Sequence, residues 1–102
     1  MIFLNEHEEQ SAHQMQREIN RLQEQLKEFF VNDHASRLAH ELYEKYNMDR
    51  MSYYEAIEEQ MEFMRTNYYA YYASYSDDDL EDLATDMIEK ALLDYENKIY
   101  EH

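Results

Sequence analysis

The sequence predicts an all-α protein: a small bundle of about four helices, three long and one short, with antiparallel neighbours. Three observations point there. The 102 residues contain no glycine and no proline, so the strongest helix breakers and the residues that tight β-turns need are both missing. Apolar residues recur at alternating spacings of three and four, the period of a helix face. Each periodic segment is preceded by Asn, Asp or Ser, the residues that cap helix N-termini.

The first helix is expected from Asn5, where Asn5-Glu6-His7-Glu8 has the form of a capping box. Ala12, Met15, Ile19, Leu22, Leu26 and Phe29 then follow at 3, 4, 3, 4, 3. This heptad seam carries the helix to about Val31. Asn32-Asp33 interrupts the pattern and is read as a break that caps a second, shorter helix. Ala35, Leu38, Ala39, Leu42, Tyr43 and Tyr46 form its apolar stripe, and Asn47 suits a left-handed C-terminal cap.

Ser52-Tyr53-Tyr54-Glu55 reads as the capping box of a third helix over 53–74, with Tyr54, Ile57, Met61, Met64, Tyr68, Tyr71 and Tyr75 on one stripe. Ser76 caps the fourth. Asp77, Asp78 and Asp79 occupy its first turn, where carboxylates suit the positive end of the helix dipole. Leu80, Leu83, Ala84, Met87, Ile88, Ala91, Leu92, Tyr95 and Ile99 make its inner face. Short connections at 32–33, 47–51 and 75–76 favour antiparallel neighbours. Length and the lack of any repeat or linker give one domain over 1–102.

Composition bounds the function classes. No cysteine means no disulfide, thiolate metal site or cysteine nucleophile, and suits a cytoplasmic protein. The opening apolar run is too short for a signal-peptide core, and no later stretch approaches membrane-spanning length. Twenty-four carboxylates face nine Lys/Arg, for a formal charge of −15. The imbalance sits in the C-terminal half: residues 1–51 carry 10 acids and 6 bases, residues 52–102 carry 14 and 3. Such a surface repels nucleic acid and anionic membrane and attracts basic proteins.

No catalytic constellation stands out. A phosphate loop needs glycine, the serines fit no nucleophile motif, and neither His-Glu-x-x-His nor Glu-x-x-His occurs. His7, His13, His34, His40 and His102 lack ligand spacing and read as solvated or boundary residues. The expectation is a non-enzyme without cofactor or metal.

Two features are candidates for binding. Tyr68, Tyr71, Tyr72 and Tyr75 would share an arc of about 100° on a continuous helix, with Tyr69 beyond its edge. They read either as a core edge with wetted hydroxyls or as a contact patch. The second feature is the outer face of the fourth helix, where Asp78, Asp79, Asp82, Asp86, Glu89 and Glu96 lie opposite the apolar stripe with Leu93 among them. Regularly spaced carboxylates can imitate a nucleic-acid backbone, as in some virus-encoded inhibitors, though an ordinary solvated face has the same pattern. The leading functional expectation is an acidic inhibitor, of virus-encoded or anti-defence type, docking on a basic and possibly nucleic-acid-binding surface of another protein. The alternative is a homo-oligomeric structural or regulatory protein, a homodimer assembled through Met15, Ile19, Leu22, Leu26 and Phe29.

Overall fold

The computed structural model describes residues 6–100, and side chains over residues 12–100. Four helices follow in order: α1 (Glu6–Glu44), α2 (Arg50–Asn67), α3 (Tyr69–Tyr72) and α4 (Asp77–Tyr100), with no strand among the described residues. Three are long and one is short, but the short one is not the segment expected. Asn32-Asp33 does not break the chain. α1 runs through it as one helix of 39 residues, about 58 Å long.

The reason lies in the phase of the apolar stripe. At about 100° per residue, Val31 sits roughly 200° round the helix from Phe29. Up to residue 30 the apolar residues occupy one face of α1. From Val31 onward Ala35, Leu38, Ala39 and Leu42 occupy the opposite face, all buried. A jump in phase reads in sequence like a break in structure. Asn32 and Asp33 fall on the exposed side, where their weak helix propensity costs only tenths of a kcal/mol each, about 0.5. Asp33 also pairs with Arg37 one turn on, at 3.6 Å. The expected cap at Asn5 lies outside the described residues.

α1 ends where sequence suggested. Asn47 takes φ 52°, and Met48 follows at φ 58°. Two left-handed residues in succession reverse the chain without glycine, and Met48 N–H closes on the Leu42 carbonyl at 2.7 Å. α2 begins earlier than the expected capping box. Asp49 is its N-cap and accepts from Ser52 N–H at 3.1 Å; Ser52 donates to the cap and is not itself the cap. α2 also stops earlier, at Asn67. Tyr68 leaves helical geometry (φ −133°, ψ 41°), and Asn67 turns its amide back to the Phe63 carbonyl at 3.1 Å. The break lets α3 fold inward and bury Tyr72. α4 starts as expected, with Ser76 Oγ accepting from Asp79 N–H at 3.1 Å.

Residues 31–44 of α1, α2 and α4 form a three-helix head in which each helix packs on the other two. α1 and α2 run antiparallel, as do α2 and α4, so α1 and α4 are parallel: Gln60 of α2 meets Val31 and Met87, and Tyr43 of α1 meets Glu96 further along α4. The core is Val31, Leu42, Met64, Leu80 and Ile88, each fully buried, with one polar member, Gln60. The stripe expected on α2 was therefore turned slightly. Gln60 and Ala56 face inward, and Tyr54 lies half outside. Residues 12–30 of α1 extend beyond the head as an arm, and the molecule measures 68 × 36 × 17 Å. No helix among the described residues is long and apolar enough to cross a membrane.

Candidate interaction surfaces

Three surfaces follow from this geometry. The first is the outer face of α4. Asp78, Asp79, Asp82 and Asp86 are exposed, and Leu93, two turns further along the same face, is 57% exposed. The ion pairs among the described residues are Arg37–Asp33 and Arg65–Asp77, so none of these four carboxylates is in an ion pair, although Lys90 stands one turn beyond Asp86. The other two members of the expected row differ. Glu89 accepts a hydrogen bond from the Tyr53 hydroxyl at 3.0 Å. Glu96 is half-buried and accepts from the Tyr43 hydroxyl. Both sit at the edge where α4 meets its neighbours. The row of six thus becomes four free carboxylates and two that tie α4 to α2 and α1.

Glu89 leaves a mark on its donor. Burial first, then the hydrogen bond to Glu89 and its negative charge, push the Tyr53 phenol up to about 12. Burial also raises Tyr72, and the hydrogen bond to Glu44 raises Tyr95. A phenol is neutral when protonated, and its unfolded value is about 10. The folded protein therefore holds these protons longer than the unfolded chain. The stability they contribute is complete below pH 10 and is lost as pH rises from about 10 towards 12. The expected result is a urea-unfolding midpoint that falls across that window, with a late tyrosinate absorbance step near 12 in the chain that is still folded. Tyr53→Phe should remove that step.

The second surface is a groove of about 620 Å³ between α2 and the start of α4. Ile57 and Met61 line it along α2, with Glu58 and Glu62 beside them and Asp77 and Glu81 on the α4 side. Asp77 and Glu81 each precede a residue of the outer face, Asp78 and Asp82. Arg65 also lines the groove and pairs with Asp77, so the unpaired acids of the groove are Glu58, Glu62 and Glu81, and Glu81 adjoins Asp82 of the outer face. Sequence reading missed this groove, because it needs the pairing of α2 with α4.

The third surface is the arm. Met15, Ile19, Leu22, Leu26 and Phe29 are 45–64% exposed, and Phe30 joins them. The expected tyrosine patch is divided by the break at Tyr68. Tyr72 is core and Tyr68 is half-buried against Phe63, while Tyr69, Tyr71 and Tyr75 are exposed. Tyr71 lies beside the arm, with Lys27 Nζ 4.7 Å from its ring centre. Leu26, Phe30, Tyr68 and Tyr71 line a cleft of about 390 Å³ there. The apolar band of the arm therefore continues onto α3.

Sequence reading also missed the polar centre of the head. Gln60 donates to the Val31 carbonyl at 3.0 Å and to Met87 Sδ at 3.5 Å. Its Oε1 accepts from His34 Nδ1 at 2.7 Å, which fixes a proton on that nitrogen. His34 stacks on Phe63 with ring centres 4.1 Å apart. The available signal was a glutamine in phase with Ile57 and Met64. Among the described residues no cluster of His, Asp or Glu is placed to hold a metal ion. No protein family, curated protein or solved structure matches this chain.

Proposed function

We propose that this chain is a non-catalytic binding protein that docks through its acidic C-terminal half on a basic surface of another protein. The observation that carries this is the outer face of α4, where Asp78, Asp82 and Asp86 stand outside any ion pair and exposed Leu93 follows two turns further on. Carboxylates one turn apart are about 6 Å apart along the axis, a spacing suited to a row of Lys and Arg. The exposed leucine and the apolar side of the neighbouring groove favour a protein partner, since interfaces combine apolar contact with complementary charge. An inhibitor of a nucleic-acid-binding or defence protein, such as a virus encodes, fits this surface by occupying a site meant for phosphates. A cytoplasmic setting suits a chain without cysteine.

The test is charge reversal. Asp78, Asp82 and Asp86 are changed together to Lys, leaving Glu89 and Glu96 with their tyrosines. Only Asp78 supports the helix dipole, so folding should weaken by no more than about 1 kcal/mol. Affinity capture from the native host with the parent chain is expected to recover a protein with a basic surface, and the triple variant should lose it. Retention of the same protein by the triple variant would sink the reading.

A further inference from the structure

The arm carries an inference that stands apart from acidic docking. Its seam points away from the head. Met15, Ile19, Leu22, Leu26 and Phe29 lie on the face of α1 opposite Val31, Ala35, Leu38 and Leu42, which build the core. While α1 stays one helix, its own head cannot cover this face.

We infer that residues 12–30 of α1 pair with the same segment of a second copy, antiparallel and centred on Leu22. The spacing is that of a helix meeting another helix, with large apolar side chains in successive layers. At the exposures found, the seam and Phe30 offer roughly 100 Å² each, so a pair buries roughly 1,200 Å², the lower bound of a standard stable interface.

Charge selects the occupant. Residues 12–31 hold three bases, Arg17, Arg21 and Lys27, and three acids, Glu18, Glu24 and Glu28. This neutral stretch lies in a chain of net charge −15, so it is the part of the molecule that a second copy can approach without repulsion. The positions flanking the seam are Gln16, Glu18, Gln23, Gln25 and Phe30. One charge among five leaves little to oppose self-pairing.

Charge also sets the direction. Residues 32–102 carry 18 acids and 6 bases, net −12. A parallel pair would bring two such heads to the same end. An antiparallel pair places them at opposite ends of an arm about 28 Å long, far beyond the screening length of about 8 Å at physiological salt. Leu22 then meets Leu22 of the second copy, Ile19 meets Leu26, and Met15 meets Phe29, close to the cleft at Phe30 and Tyr71.

Sedimentation equilibrium and cysteine cross-linking test this, and the chain has no cysteine of its own to confuse the second. The parent chain is expected to sediment as a dimer at micromolar concentration. Ile19→Glu with Leu22→Glu should raise the dissociation constant by roughly a hundred-fold or more, because two charges would enter an apolar layer. The circular dichroism of the head should be retained. Leu22→Cys should oxidise to a covalent dimer. Met15→Cys alone should not, but mixed with Phe29→Cys it should. A parent chain that is monomeric at high concentration overturns the pairing. Efficient self-linking of Met15→Cys overturns the antiparallel arrangement. Acidic docking is unaffected by either result.

Discussion

Replacing Gln60 with alanine is expected to destabilise the head by about 3 kcal/mol, combining a cavity with lost hydrogen bonds. Gln60 is fully buried and touches every long helix of the head: Val31 and His34 on α1, Met87 on α4, and α2 through its own backbone. Truncation leaves the half-buried His34 Nδ1 proton without its acceptor and opens space beside Met87. Gln60→Leu keeps most of the volume, so its cost should be smaller, about 1–2 kcal/mol. Urea unfolding followed by circular dichroism reads both values. A midpoint unchanged in Gln60→Ala would mean that the polar centre does not hold the helices together.

Leu80→Ala should cost as much or more, about 3–4 kcal/mol. Leu80 is fully buried where α4 enters the head, and the surrounding helices cannot close around the space left. The informative comparison is Leu22→Ala, the same chemical change on the arm. Leu22 is 51% exposed and on the opposite side of α1 from the head core. Its loss should lower the unfolding free energy of the monomeric chain by less than about 0.5 kcal/mol while weakening self-association. If both substitutions destabilise a monomer equally, the division of α1 into head and arm is wrong.

These two leucines also show how far sequence carries. The three-and-four spacing identified both as apolar helix positions. It did not say that they face opposite ways, because the jump at Phe30–Val31 looks like an interruption at Asn32-Asp33. Helix boundaries set by local chemistry were legible: Ser76 caps α4, and Asn47 ends the turn after α1. The break at Tyr68 was not, because it serves a distant need, the burial of Tyr72. The same limit applies to the surfaces. The free carboxylates of α4 were legible from the helix wheel. The capture of Glu89 by Tyr53 and of Glu96 by Tyr43 depends on which helices α4 meets, and so does the acid-lined groove.

Docking steered by charge is the central claim, and the association rate with the captured partner, measured across ionic strength, tests it most directly. Lengthening the screening distance from about 8 Å at 0.15 M to about 30 Å at 0.01 M should accelerate association of the parent chain by at least roughly tenfold. The Asp78, Asp82 and Asp86 to Lys variant should lose most of that acceleration. Equal association rates at low and high salt, with the triple variant binding as well as the parent, would contradict it.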